Sequence, residues 1–176
     1  MLKLQQMSLK IKNKKHFFIS FLLIAFVFTI DIWTKRYAFA KVDAFREKTG
    51  GVYNYIQITS FFNIVEVINT GVSFGMFNSI SYGQIILSSI TFFLLCFLFF
   101  LMWKEANFYL IYVYAMIIGG GIGNLYDRII YGGVFDFLDF HIKQWHWPAF
   151  NFADTMVCIG IALLLLNELL ISIKKQ

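Results

Sequence analysis

The sequence predicts an all-α membrane protein with four transmembrane helices, organised as a single domain over residues 1–176. Hydrophobic residues make up 59% of the chain and charged residues only 14%, whereas soluble domains carry about 25% charged residues. Four apolar runs cover residues 17–33, 84–103, 108–125 and 155–173. Each run is long enough to cross a hydrocarbon core of roughly 30 Å.

The first predicted span, residues 17–33, follows a basic arm with five lysines. A signal peptide would also have a basic start, but no small-x-small cleavage pattern ends the run cleanly and three more spans follow. Asp31 lies near the far end of this span. An acidic residue there either faces a bundle interior or polar cavity, or pairs locally with Lys35 one turn later. Both interpretations stand together.

Residues 52–68 differ from the spans because they are rich in β-branched and aromatic side chains in short alternating runs. This pattern is typical of strands. It predicts a small β-rich subdomain outside the membrane, on the side that the first span reaches. The turn residues of NTGVSFG, 69–75, then end it.

The remaining chain consists of three spans and their connections. Residues 104–107 form a short turn, and the polar, aromatic stretch 127–151 is predicted to be a loop. Four spans place both termini on one side of the membrane, and the amino-terminal lysines predict that this side is cytoplasmic. Residues 52–68 and 127–151 are then extracytoplasmic. Because the basic residues adjoin an apolar segment, they favour membrane lipids as partners and not nucleic acid.

The two cysteines, Cys96 and Cys158, both lie inside predicted spans. Their depths in the membrane differ by roughly 12 Å at 1.5 Å per helical residue, which is too far for a disulfide. We interpret both as buried small hydrophobic residues.

Acidic residues concentrate near the outer ends of the third and fourth spans, at Asp127, Asp136, Asp139 and Asp154. Two carboxyl groups held close together share one proton. One of them then acts as a base toward water while the other donates a hydrogen bond to the carbonyl under attack. This chemistry needs no metal and no cofactor. The alternative is that these aspartates pair with Arg128, Lys143 or backbone amides.

Other sites fit the sequence less well. His141 and His146 lie five residues apart without an HExxH pattern, which argues against zinc. Nothing brings Lys35 and Ser73 together for a serine–lysine hydrolase. The glycines in 119–123 indicate close helix packing or an unwound helix end, and Trp145, Trp147 and Phe150 are typical of membrane-interface anchors.

Five stretches carry a resemblance to a known family. They are DIWTK (31–35), NTGVSFG (69–75), GGGIGNLYDR (119–128), GGVFDFLDF (132–140) and WHWPAFNFAD (145–154). In this order they resemble the blocks of bacterial lipoprotein signal peptidase, also called signal peptidase II. Val72 and Ser73 stand where the family often has small residues such as alanine.

The resemblance implies an aspartyl endopeptidase of the bacterial cytoplasmic (inner) membrane with its active site at the extracytoplasmic face. It implies removal of the signal peptide from prolipoproteins, just before a cysteine that carries diacylglycerol, and inhibition by the cyclic peptide globomycin. Asp136 and Asp154 match the catalytic pair. The residues matching substrate-binding or site-supporting positions are Asp31, Lys35, Asn69, Gly71, Asn124, Asp127, Arg128, Asn151 and Ala153.

Two other classes of protein are alternatives to the enzyme. A four-span transporter or channel with an acidic relay would place carboxylates at several depths in the membrane, whereas here they gather at one end. A structural scaffold would not need five polar motifs at a single level. The enzyme is therefore the preferred hypothesis, with 52–68 expected to cover the substrate from above.

Overall fold

The computed structural model describes residues 2–71 and 83–174. The helices are α1 (Leu2–Lys48), α2 (Gly83–Lys104), α3 (Phe108–Tyr131) and α4 (Phe152–Lys174), and the strands are β1 (Tyr55–Gln57), β2 (Phe62–Asn69), β3 (Val134–Ile142) and β4 (Trp145–His146). Four residues of the NTGVSFG motif, 72–75, lie outside the described residues, and so does the Ser73 considered for a serine–lysine site.

The four-span architecture is confirmed. Within residues 2–71 and 83–174, four helices are long and apolar enough to cross a membrane: Lys15–Lys48, Gly83–Lys104, Phe108–Tyr131 and Phe152–Lys174. The first helix extends well beyond the predicted 17–33 because no glycine or proline interrupts residues 2–48. It ends where Gly50 adopts a left-handed φ of 68° and the Gly51 N–H bonds to the Arg46 carbonyl at 2.8 Å. Glycine at this position is the usual helix stop.

Helix α3 packs against all three other helices. Its glycines allow this close approach, since a Cβ atom at Gly119 would collide with Val27 of α1 and one at Gly120 with Ala153 of α4. Of the two interpretations offered for the glycine cluster, close packing is therefore the one observed. The helix continues to Tyr131, six residues past the predicted end, and stops at Gly132, whose φ is 71°.

The predicted sheet is confirmed, and it is larger than expected. Within the described chain it is antiparallel with the order β1-β2-β3-β4. Residues 134–146, predicted to be part of a loop, supply β3 and β4. Aspartate is a poor strand former, so VFDFLDFHI reads weakly as a strand by itself. Its pairing with β2, from Phe62 opposite Phe140 to Asn69 opposite Val134, holds it extended.

The two faces of this sheet have different roles. Because side chains alternate along a strand, Asp136, Leu138 and Phe140 lie on one side of β3, the Asp136 face. Phe137, Asp139 and His141 lie on the other, the Asp139 face. Phe137 packs against Ala38 and Phe39 near the carboxyl end of α1. The sheet is thereby attached to the carboxyl-terminal part of α1.

The interpretation of the cysteines as buried is wrong. Cys96 and Cys158 are free and exposed on the surfaces of α2 and α4. A helix in a bilayer meets hydrocarbon on its outer side, so an apolar residue in a span needs no protein around it.

Candidate active site

Asp136 is held by two asparagines from different elements. Its side chain is 1% exposed. One carboxyl oxygen accepts a hydrogen bond from the side-chain amide of Asn151 at 2.7 Å, and the other accepts one from the amide of Asn69 at 3.0 Å. Asn69 is the last residue of β2 and Asn151 precedes α4. The sheet and the start of α4 therefore orient both oxygens of this carboxyl group.

Asp154 lies in the first turn of α4, where it forms a reciprocal cap with Asn151. The Asp154 backbone N–H donates to Asn151 Oδ1 at 2.9 Å, and the Asn151 N–H donates to Asp154 Oδ2 at 3.2 Å. This is the capping-box arrangement, and a carboxylate is also favoured at a helix amino terminus. The other carboxylate oxygen accepts a hydrogen bond from Asn124 Nδ2 at 2.7 Å.

The two carboxyl groups interact electrostatically. Burial, and after it the negative charge of Asp154, together raise the pKa of Asp136 from its ordinary value of 3.8 to about 7. The hydrogen bonds from Asn69 and Asn151 act against this rise. A carboxyl group with a pKa of about 7 has its proton for a large part of the time at neutral pH, which suits a general acid.

A buried ion cluster lies next to this pair. The Lys35 ammonium, 1% exposed, contacts Asp31 Oδ2 at 2.6 Å and Asp127 Oδ2 at 2.8 Å. Asp31 also accepts a hydrogen bond from the Ala153 N–H at 2.8 Å. The cluster thus joins α1, α3 and the start of α4. Both interpretations of Asp31 hold, since it faces the bundle interior and pairs with Lys35.

Asn124 connects the ion cluster to the aspartate pair. Its Oδ1 accepts hydrogen bonds from Lys35 Nζ and from the Asn151 side chain, both at 3.1 Å, while its Nδ2 donates to Asp154. The side chain must therefore point its oxygen at the cation and its amide at the carboxylate. A glycine at 123 is required beside it, because a Cβ there would overlap the Asp31 carboxylate.

Arg128 and Gly71 complete the site. Arg128 Nη1 lies 3.4 Å from the Asn124 carbonyl oxygen, and its buried Nε has no hydrogen-bond partner among the described residues. The Gly71 N–H donates to Asn69 Oδ1 at 3.1 Å, which leaves the Asn69 amide free to donate to Asp136.

The structure brings all eleven sequence-predicted site residues into one connected region. Asp127 pairs with Lys35, and it also accepts a hydrogen bond from the Phe135 N–H at 3.3 Å. Asp139 is the acidic residue that separates from the group, because it lies on the opposite face of β3. Sequence reasoning missed its partners, Asn63 and His146. The alternation of β3 is the signal that could reveal them, but the polar composition of 127–151 predicts a loop.

Comparisons with known proteins identify the family of this chain. A family model described as signal peptidase (SPase) II matches residues 23–170. The lipoprotein signal peptidase of Pelagibacter ubique is 38% identical over 93% of this chain and 95% of its own length. That of Oleidesulfovibrio alaskensis is 36% identical over 84% of this chain and 92% of its own.

Two solved structures described as bacterial membrane enzymes share the fold. One has a TM-score of 0.71 and 26% identity and covers 90% of this chain and 92% of its own, and the other has a TM-score of 0.68 and 25% identity over 86% and 92%. The family model covers most of the chain, and relatives more than 30% identical align over nearly all of it. The chain therefore belongs to the signal peptidase II family, the lipoprotein signal peptidases, which remove signal peptides from prolipoproteins.

Proposed function

We propose that Asp136 and Asp154 form an aspartyl catalytic pair that activates water for cleavage of a prolipoprotein. The observation that carries this proposal is the arrangement around Asn151. This residue donates its side-chain amide to Asp136 and its backbone N–H to Asp154. One residue thus sets the positions of both carboxyl groups.

The raised pKa of Asp136 supports a cycle in which Asp136 has the starting proton and Asp154 is the base. Water attacks the carbonyl carbon of the scissile peptide bond, Asp154 accepts a proton from that water, and Asp136 donates its proton to the carbonyl oxygen. When the resulting diol collapses, the C–N bond breaks. Asp154 then passes its proton to the leaving amine, and Asp136 recovers one from the diol. The pair ends as it began, with one shared proton.

Neighbouring residues support this cycle without exchanging protons. Asn124 holds Asp154 from the side opposite to Asn151, and Lys35 fixes the orientation of Asn124. Arg128 lies close enough to Asp136 and Asp154 for their charges to interact with its guanidinium group. Its Nε has no hydrogen-bond partner in the described chain. We assign Asn69 and Arg128 the further role of meeting the substrate backbone next to the scissile bond.

The location of the pair fits a lipid-modified substrate. Asp154 is in the first turn of α4, and Asp127, in the last turns of α3, bonds to the strand that carries Asp136. This is the end of the transmembrane bundle. A cysteine carrying diacylglycerol would be anchored at this level, with its acyl chains among the membrane lipids. We place the site at the extracytoplasmic face of the cytoplasmic membrane, with both termini cytoplasmic, because lysines cluster before the first span. A cyclic peptide such as globomycin would occupy the same place as an uncleaved substrate.

The transporter alternative has less support. Asp31 and Asp127 are both committed to Lys35, so they do not form a relay running through the membrane. Membership of the signal peptidase II family also favours an enzyme over a transporter.

The test is cleavage of a diacylglyceryl-modified prolipoprotein by purified wild type, Asp136→Asn and Asp154→Asn in membranes or detergent without added metal. Each variant should lose at least about 100-fold in rate, the scale of a lost general acid or base, while its circular dichroism stays that of wild type. Asp139→Asn is the matched control, since it changes an aspartate on the same strand but on the opposite face. Activity in both pair variants, or its loss in Asp139→Asn alone, would show that the assigned pair is wrong.

A further inference from the structure

A second concave site lies on the Asp139 face of the sheet. It is a cleft of about 630 Å³ that crosses the sheet from Tyr55 and Gln57 of β1 to His146 and the following Trp147. Asp139 lines it, whereas Asp136 on the same strand points to the opposite face. The cleft is therefore separate from the catalytic pair, although Asp136 and Asp139 are only three positions apart on one strand.

The cleft contains buried hydrogen-bonding groups that the fold leaves unused. Asn63 is 5% exposed and donates its amide to Asp139 at 2.8 Å. Its Oδ1 is buried and accepts no hydrogen bond from the part of the chain that the structure describes, and the same is true of His141 Nε2. A buried polar atom without a partner costs about 1–3 kcal/mol. A ligand that reaches these atoms would offset that cost.

The wall of the cleft is preformed. His146 Nδ1 lies 2.8 and 3.0 Å from the two oxygens of Asp139, and the rings of His141 and His146 stack with centroids 4.8 Å apart. The Trp147 N–H donates to the Phe140 carbonyl at 2.8 Å. These contacts hold the hairpin of β3 and β4 against the sheet.

The chemistry of the lining favours a polypeptide. The lining includes the side-chain amides of Asn54, Gln57 and Asn63, the aromatic rings of Tyr55 and Trp147, and the opposite charges of Asp139 and Lys143. Amides can satisfy both donors and acceptors of an extended backbone. A lining without a dominant charge does not select a phosphate or a nucleic acid.

The two faces of the sheet also indicate the direction from which a ligand arrives. Phe140, Ile142 and Trp145 are exposed on the Asp136 face; Ile142 and Trp145 are partners in the β3–β4 register. This apolar surface suits the membrane boundary, and the polar cleft on the other side then opens to water.

We propose that this cleft binds the part of the lipoprotein that follows the lipidated cysteine, in an extended conformation. This inference rests on the proposed function, because that segment must leave the catalytic pair on the aqueous side. The cleft would add affinity for the substrate without taking part in the chemistry. Its contribution should therefore appear in KM and not in kcat.

The experiment compares two diacylglyceryl-modified substrates that differ only in the length after the cysteine, roughly 4 or 20 residues; extended chain covers about 3.4 Å per residue. Wild type should show a several-fold lower KM for the longer substrate. Trp147→Ala and Gln57→Ala should remove that advantage and leave kcat and the shorter substrate unchanged. Ile58→Ala, an exposed change next to β1 but outside the cleft, is the control.

Three outcomes would overturn the inference. Equal KM values for the two lengths in wild type would show that the segment is not held. An equal rise of KM for both substrates in Trp147→Ala would show that the tryptophan anchors the protein at the membrane. The third outcome comes from the longer substrate bound to Asp154→Asn with a benzophenone about ten residues after the cysteine. Crosslinks that avoid residues 54–57 and 146–149 would refute the binding site even if the catalytic assignment failed.

Discussion

Asn151 and Asp154 cap each other at the start of α4, each donating its backbone N–H to the side chain of the other. The cap that begins this helix thus includes Asp154, one of the two aspartates of the pair. Since Asn151 has a spare side-chain amide group, it can cap the helix through Oδ1 and hold Asp136 through Nδ2 at the same time. Helix initiation and carboxylate placement are consequently tied to one residue.

Replacing Asn151 should separate these two roles. Serine is a good N-cap residue but has no amide to donate to Asp136, whereas alanine provides neither function. We expect Asn151→Ser to lose at least about tenfold in kcat, the effect of one lost hydrogen bond of roughly 1.4 kcal/mol, and to keep a Tm close to wild type. Asn151→Ala should lose activity and also about 1 kcal/mol of stability.

Cleavage rates and thermal unfolding in the same detergent measure both effects. Thr155→Ala serves as the comparison, because Thr155 lies in the same turn and donates both its hydroxyl and its backbone N–H to the Asn151 carbonyl. If Asn151→Ser were fully active, the amide contact to Asp136 would not matter for catalysis.

The raised pKa of Asp136 predicts the alkaline side of the pH profile. If Asp136 acts as the acid, kcat/KM should fall about tenfold per pH unit above a pH of about 7, because the pair then loses its shared proton. Initial rates between pH 5 and 9 measure this. A rate that stays level to pH 9 would contradict the assignment of the proton to Asp136.

The same pKa has a consequence for stability. The folded state keeps the Asp136 proton up to a pH of about 7, while the unfolded chain loses it near 3.8. The folded form therefore binds more protons between these values, and this contribution to stability is complete below the lower pKa and is lost as pH rises to about 7. The Tm of wild type should fall relative to that of Asp136→Asn across this window. If the difference in Tm between wild type and Asp136→Asn did not change with pH, the pKa of Asp136 would not be raised in the folded state.

Lys35→Met should destabilise the protein strongly. The ammonium of Lys35 is the counter-charge for Asp31 and Asp127, and breaking a buried ion pair from one side costs about 3–5 kcal/mol. Thermal unfolding of purified protein measures the loss. Arg36→Met is the matched control, because Arg36 is the next basic residue on the helix but is exposed, and its Tm should stay near that of wild type. Adding Asp31→Asn to Lys35→Met should restore part of the Tm. A Tm for Lys35→Met equal to that of Arg36→Met would show that the ion cluster contributes nothing to stability.

The sequence by itself determined the number of spans and the level of the polar residues. Hydrophobicity over about 20 residues is a local property, and a bilayer has a fixed thickness. Asp31 and Asp154 therefore had to lie near the ends of their spans whatever the packing. Even the resemblance of the motifs depends only on residues close together in the chain.

Tertiary structure alone decided which polar groups meet. The strand β3 exists because β2 supplies its hydrogen bonds from about 70 residues away, and this pairing sends Asp136 and Asp139 to opposite faces. Asp127 could have bonded to Arg128, but the packing of α1 against α3 at the glycine positions brings Lys35 to it instead. The exposure of Cys96 is also decided by packing, since it depends on which side of α2 faces lipid and not the other helices. Contacts between distant segments are set by helix packing and strand pairing. A local sequence pattern does not specify which segments pack or pair with each other.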